Sequence, residues 1–466
     1  MDRWLAGRVF WPFTERLCGR DTMRRLRGLQ ATDRLAAEAL RAIQTRKLRA
    51  LLRIAVEHAP FHARRIRAAR IDPHAPAAGV DVLRLLPALT REDVREHLDE
   101  VTWRDCPGGA RPYSTGGSSG EPLKFYFDRR RQAADQATRW RARGWWGLRP
   151  GDHEVLLWGA PVELKAQDLL RRLRDALLNQ RMLNAFHMTV DAMDAYLAVL
   201  RDSDLPPACL YGYPSSLALL ARHAERRGLE PGGLGSTALK AVFVTGEVLA
   251  EADRTAIERA FAAPVVIEYG CRDGGLLACQ CPCGRLHVAE ENAIVEVLDP
   301  DGRPVEPGGA GEVVVTQLEC HATLMIRYRT GDLAVLGDRA CPCGRASLTL
   351  LDVLGRKTDQ IVCPADGGLK HMHALALIYV LREAEGVRQF RVTQRSVSAV
   401  DVEIVPGKGY TSDVEACIIR GLRERLGPQV AVRLFRREAI APGASGKHAC
   451  VVSEIPGNEL EPLDSR

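Results

Sequence analysis

Between residues 150 and 320 four short apolar runs, HEVLLWG, ACLYGY, LKAVFVTG and PVVIEYG, are separated by segments of helical period at 192–201, 215–227 and 251–262. Two parallel strands need a long crossover between them, and a helix is the usual one. Strand and helix in alternation therefore predict a largely parallel sheet flanked by helices, an α/β fold. Loops beyond the carboxyl ends of such strands are where ligands gather. VTGEVL and EYGCRDGG, which hold Gly246 and Glu247 and Tyr269, Gly270 and Asp273, fall at those ends.

The rest of the chain sorts around this unit. At 466 residues it is too long for one core. With 27% charged and 46% hydrophobic residues it lies in the ordinary globular range. Residues 20–100 carry apolar positions at 3.6-residue spacing, and Thr90 is placed as an N-cap before Glu92 and Asp93. AIVEVLDPDGRPVEPGGAGEVVVTQL predicts two strands about an Asp301-Gly302 turn, part of a hairpin or small barrel-like β portion. A boundary is expected at GRKTDQIV. Beyond it a strand pair, a helix and a further strand form a small α+β unit. The expected organisation is residues 1–354 as a large multi-subdomain unit with a helical opening at 1–105, a hinge at 355–359, and a mobile C-terminal domain at 360–466.

A net charge of +6 from 65 basic and 59 acidic residues is mild, and the arginines of the first 60 residues lack interleaved aromatics. They predict solvated helix faces, with no nucleic-acid partner. No apolar stretch is long enough to span a bilayer, and the opening MDRWLAGRVFWPF is too polar and short for a secretory segment, so a cytoplasmic protein is expected. Thirteen cysteines then read as buried apolar residues, metal ligands or reactive thiols.

Two motifs carry chemistry. YSTGGSSGEP (113–122) offers three glycines, at 116, 117 and 120, that allow close backbone approach. The hydroxyls of Ser114, Thr115, Ser118 and Ser119 add donors that suit phosphoryl oxygens. The same composition suits a flexible surface loop. KFYF, immediately after it, predicts a strand that clamps the loop beside regular structure. The second motif is a repeated pentapeptide, CPCGR at 281–285 and 341–345. Cys281, His287, Cys341 and Cys343 form a soft N/S set suited to a structural zinc, with Cys279 and Cys283 as further candidates.

In order and spacing, the Ser/Gly loop, EYGCRDGG, YRTGDL (328–333), GRKTDQI (355–361) and SGK (445–447) resemble the adenylate-forming superfamily. The opening QTRKLRALLRIAVEHAPFHARRI with LPALTREDVR, together with YGYPSSL and RDGG, resembles its phenylacetate:CoA ligase and capsular-polysaccharide-biosynthesis branch. The resemblance covers nearly the whole chain. It implies an ATP-dependent, AMP-forming ligase in which a carboxylate attacks the α-phosphate of ATP and a nucleophile captures the acyl adenylate. That nucleophile is usually coenzyme A, and an aryl or arylacetic acid is the expected substrate.

By resemblance Asp332 holds the ribose hydroxyls, Tyr269 stacks on adenine beside Gly246, and Asp273 stands where a glutamate usually helps hold Mg²⁺. The 114–120 loop and Arg356 complete the nucleotide site. Phe186, His187 and Tyr213 line the acid pocket, and Lys447 is the mobile lysine that bridges carboxylate and α-phosphate. Thr358 marks the hinge, where an Asp or Lys is common. Adenylation motifs leave the acceptor open, so an amide- or ester-forming ligase using an amine or hydroxyl stands as an alternative. A nucleotide-binding scaffold without catalysis, motivated by Asp273 and Thr358, is a second. Homodimers are common in the branch.

Overall fold

The computed structural model describes residues 2–75, 79–114, 123–159, 168–185, 188–202, 204–249, 251–299, 301–356, 360–365, 368–373, 375–382, 384–440 and 451–455. Strand β1 (Arg111–Ser114) pairs antiparallel with β2 (Lys124–Phe127), so KFYF forms the strand its composition predicts. Eleven further strands form one sheet. Its parallel half holds β3 (Glu154–Trp158), β4 (Gln180–Asn184), β5 (Cys209–Gly212), β6 (Ala241–Val244) and β7 (Val265–Cys271) in the order β4-β3-β5-β6-β7. Its antiparallel half continues from β7 through β8 (Gly275–Gln280), β9 (Leu286–Val288), β13 (Thr349–Arg356), β12 (Tyr328–Leu336), β11 (Ala310–Gln317) and β10 (Ala293–Leu298). The strands expected as a barrel-like portion thus join an open mixed sheet, because β7 pairs on one side with parallel β6 and on the other with antiparallel β8.

Every residue of β5 and β6 is buried, as expected for central strands covered on both faces. Helices Pro214–Arg226 and Glu251–Phe261 are the crossovers from β5 to β6 and from β6 to β7. Leu217, Leu220, Ala221, Ile257 and Phe261 pack with Val242, Val244 and Val265 in the parallel half's core. Pro214 opens its helix where a missing N–H costs nothing. Beneath the sheet runs helix Arg129–Trp145, capped by buried Asp128, which accepts from the Arg131 N–H at 2.8 Å. Its Arg139 donates to Glu268 at 3.1 Å, and its Arg143, over the rings of Trp140, Tyr211 and Phe243, pairs with Glu154. These ion pairs anchor β7 at Glu268, one residue before Tyr269, and the start of β3 at Glu154.

The opening is helical as expected. Thr90 caps Arg91–Glu96 in a capping box with Asp93. Helix Ala37–His58 lays Leu48, Leu51 and Leu52 on Leu318, Leu324 and Ile326 of the antiparallel half. Past residue 360 a hairpin of Gln360–Ala365 and Gly368–His373 precedes a four-stranded sheet and helices Leu375–Arg382 and Ser412–Leu426, with a core of their own. Lys370 reaches back to buried Asp253 at 3.0 Å.

Candidate active site

A strand's side chains alternate, so Tyr328, Thr330 and Asp332 share one face of β12, and all three are buried. Asp332 accepts the Tyr269 hydroxyl at 3.0 Å, and its N–H donates to Thr330 Oγ1 at 3.1 Å. Four residues back, the Tyr328 hydroxyl donates to Asp273 Oδ2 at 2.7 Å. Two carboxylates, one from the β7–β8 turn and one from β12, are each held by a tyrosine. Burial, followed by the facing carboxylate, pushes both tyrosine hydroxyls well above their ordinary pKa, so both remain donors.

Asp273 is 1% exposed, and its Oδ1 has no hydrogen-bond partner among the described residues. A buried carboxylate oxygen in that state is a donor of the hard type that Mg²⁺ takes, so the residues present fit such an ion. Buried Arg131 holds the turn by donating to the carbonyl of Asp273 at 3.1 Å and to that of Arg272. Arg272 in turn donates to the Ser114 carbonyl at 3.2 Å. The last described residue before the Ser/Gly loop thus sits beside the acidic turn.

On the parallel side, Gly246 has φ +82°, and a Cβ there would lie 3.1 Å from the ring of Tyr213. Tyr213 stacks on Trp158, with centroids 4.3 Å apart and planes 15° from parallel, at the carboxyl ends of β3 and β5. Glu247 Oε2 accepts the Ser215 N–H at 3.1 Å; burial raises its carboxyl pKa, with Arg425 of the C-terminal helix opposing. The close approach at Gly270 is steric, for a Cβ there would stand 2.5 Å from the Gly275 carbonyl. Arg356 lies opposite Asp332 in the β12–β13 register.

The ring of Tyr269 is part of the antiparallel core, so besides the adenine contact expected of it the residue positions Asp332. Thr115, Gly116, Gly117, Ser118, Ser119, Gly120, Phe186, His187, Thr358 and Lys447 lie outside the described residues. Sequence reasoning missed Tyr328, Arg131 and the pair Arg139–Glu268. For Tyr328 the signal was available: it opens YRTGDL and stands at even spacing from Thr330 and Asp332.

The repeated knuckles meet in space. Each CPCG closes by a bond from its glycine N–H to its first cysteine carbonyl, both 2.9 Å. Pairing of β9 with β13 brings the two turns together. Cys281 Sγ lies 3.7 Å from Cys341 Sγ, Cys343 Sγ lies 3.2 Å from His287 Nε2, and the four ligand atoms all fall within 4.8 Å of one another. His287 Nδ1 is 2.9 Å from Ser347 Oγ, which leaves Nε2 turned to the thiols. Burial first, then Arg345 and Arg141, lower the imidazole to about 4, so it is neutral as a ligand must be. Cys283 is exposed and Cys279, buried against Glu268, has its thiol pKa pushed far up; neither belongs to the cluster.

No model of a known protein family matches the chain. It is 27% identical over 342 residues to a phenylacetate-coenzyme A ligase of Thermus thermophilus, covering 71% of this chain and 73% of that protein. It is also 24% identical over 279 residues to the Staphylococcus aureus protein CapK, 59% of each. Among solved structures, 2-hydroxyisobutyryl-CoA ligase in the postadenylation state, in complex with 2-HIB-AMP, superposes with a TM-score of 0.59 at 21% identity over 91% of both chains. The same enzyme in complex with 2-HIB-AMP and CoA in the thioesterification state gives 0.59 over 90% of this chain and 91% of that one. The chain has the fold of the adenylate-forming ligases and is similar in sequence to their phenylacetate-coenzyme A ligase and CapK branch.

Proposed function

We propose that this protein is an ATP-dependent, AMP-forming ligase that activates a small carboxylic acid as its acyl adenylate and passes the acyl group to coenzyme A. The observation that carries the reading is the pair of tyrosine-held carboxylates, Asp332 and Asp273, the latter with one buried oxygen unpartnered. Asp332 accepts from ribose hydroxyls. Tyr269 and Gly270 flank the base, with Gly246 and Glu247 opposite, and the 114–120 loop and Arg356 face the phosphates. Tyr213, with Phe186 and His187, bounds the acid. An acid oxygen attacks the α-phosphorus, the bond to the bridging oxygen breaks, and pyrophosphate leaves. Lys447 has the role of offsetting the charge that builds on the α-phosphate oxygens. The thiol then attacks the acyl carbon and AMP departs. An aryl or arylacetic acid fits the likeness to phenylacetate-coenzyme A ligases, and coenzyme A fits the likeness to a ligase solved with it.

Asp273 is the residue to hold Mg²⁺, which when bound would offset triphosphate charge. Cys281, His287, Cys341 and Cys343 are the residues to hold a zinc ion, which when bound would tie the two knuckles together. Four protein donors close such a site, so its role is structural. The hairpin and sheet beyond residue 360 form a C-terminal domain that turns about Thr358 between the half-reactions.

Acid-dependent exchange of labelled pyrophosphate into ATP, run over a panel beginning with phenylacetate, tests the reading. Exchange with at least one acid supports it, and none with any acid contradicts it. In the same assay Tyr328→Phe leaves Asp273 without its donor. A hydrogen bond to a charged group is worth about 1.5 to 3 kcal/mol, so exchange at limiting Mg²⁺ falls at least about tenfold. Much of that loss is regained at saturating Mg²⁺, whereas a loss independent of Mg²⁺ would place Asp273 elsewhere.

A further inference from the structure

The contiguous helical stretches Arg3–Leu5, Ala6–Phe10 and Trp11–Leu17 make one amphipathic rod. Its inner face is fixed to the body. A Cβ on Gly7 would lie 2.0 Å from the Pro150 carbonyl oxygen, and Trp11 meets Trp140 edge to face at 5.4 Å. Its outer face is apolar. Leu5, Val9, Phe13 and Leu17, at four-residue spacing, are 41%, 44%, 62% and 77% exposed, and Trp4 is 63% exposed. Five of the thirteen exposed large apolar side chains among the described residues lie in this one rod. Single exposed leucines are ordinary, but a stripe of this kind marks a surface that something covers. Leu173, on helix Asp168–Leu177, is also exposed, and the chain just beyond that helix places Leu178 in the cluster around Trp11.

The charges on and around the stripe say what kind of partner it takes. Arg8 and Arg16 are exposed between the apolar positions and have no ion pair among the described residues. Each acid of the first 34 residues is engaged within the chain. Asp2 accepts the Leu5 N–H at 3.0 Å, and buried Glu15 holds Arg20 and Thr22. Asp21 bridges Arg24 and Arg25, and Asp33 pairs with Arg345 at 2.8 Å. A second copy docked face to face would set Arg8 and Arg16 against like charges, and among the described residues only exposed Asp2 of this segment's acids has no ion pair to give up. A negatively charged surface meets both features.

We propose that the face carrying Trp4, Leu5, Val9, Phe13 and Leu17 rests on an anionic lipid surface. The large apolar side chains sink into the headgroup and acyl boundary, and Arg8 and Arg16 stay at the level of the lipid phosphates, as in an interfacial amphipathic helix. This is contact with one leaflet. No described helix is long and apolar enough to cross a membrane.

Co-sedimentation of the full chain with vesicles tests it. The protein is expected to sediment with phosphatidylcholine vesicles containing phosphatidylglycerol as the minor lipid, more weakly with phosphatidylcholine alone, and less as salt is raised. Exposed positions tolerate change, so Phe13→Glu with Leu17→Glu keeps the native circular dichroism and lowers vesicle affinity by at least about tenfold. Arg8→Gln and Arg16→Gln each lower affinity for the anionic vesicles about fivefold and leave that for phosphatidylcholine unchanged. Wild-type protein that stays in the supernatant with anionic vesicles overturns the proposal. So does binding that ignores both pairs of substitutions. A dimer by light scattering that Phe13→Glu converts to a monomer would assign the face to a second copy instead.

Discussion

Alanine at position 447 is expected to lower acyl-adenylate formation about a thousandfold. In the proposed reaction the α-phosphorus passes through a pentavalent arrangement with more charge on its oxygens than in ATP. Only a group that grips this state more tightly than the ground state raises the rate. A preorganised cation in a site from which water is largely excluded is worth about 3 to 4 kcal/mol there, a factor that approaches a thousand at the upper end. In the proposed reaction the same lysine takes no part in thiol attack on the acyl carbon. Lys447→Ala supplied with preformed acyl adenylate should therefore make thioester within a few-fold of the wild-type rate. Pyrophosphate exchange and single-turnover thioester formation read the two steps separately. Equal losses in both would contradict a role confined to adenylation, and exchange at the wild-type rate would remove Lys447 from that step and with it the assignment of the SGK motif.

The second large effect concerns the twin knuckles. Purified protein is expected to carry one zinc per chain by elemental analysis, and Cys343→Ser or His287→Ala to lose it. Structural zinc is worth about 10 to 16 kcal/mol of apparent binding energy in small peptides that are otherwise unfolded. Here β9 and β13 are already paired, so an ion bound there would tie turns that the sheet has partly ordered, and only a fraction of that energy would appear as stability. A loss of several kcal/mol, seen as a fall in Tm on the order of 5 °C or more, is the expected cost. Cys283→Ser, at the exposed cysteine outside the cluster, leaves metal content and Tm unchanged. Metal-free protein with wild-type stability would show instead that hydrogen bonds among the thiols and His287 suffice.

The parallel half was the most legible part of the molecule, because its signals are local. HEVLLWG, ACLYGY and LKAVFVTG contain β3, β5 and β6, PVVIEYG holds all of β7 but its last residue, and the helices expected at 192–201, 215–227 and 251–262 are Val190–Leu200, Pro214–Arg226 and Glu251–Phe261. The hairpin about Asp301 and Gly302 is the antiparallel pair β10 and β11. Pairings between distant segments were not legible. Nothing near CPCGR says that β9 will pair with β13, although two copies of one pentapeptide hint that they share a purpose. Strand β4 and the helix before it passed unread, since QRMLN has no strand-like alternation and covers an edge of the sheet. The ion pairs Arg139–Glu268 and Arg143–Glu154 were hidden for a different reason, as burying a charge defies composition and depends wholly on its partner. In the site, motif identity supplied Asp332, Asp273 and Tyr269, while the hydrogen bonds by which Tyr269 and Tyr328 hold the two carboxylates emerged only from three-dimensional contact.

The central claim is that a carboxylate oxygen becomes bonded to the α-phosphorus of ATP. It is tested most directly by supplying an accepted acid labelled with heavy oxygen in both carboxylate positions, with ATP and coenzyme A, and weighing the nucleotide product. The oxygen that attacks phosphorus stays with it when the thiol takes the acyl group. The expected product is therefore AMP carrying one heavy oxygen, beside a thioester that retains the other. Unlabelled AMP, or ADP with the label in inorganic phosphate, would contradict the account.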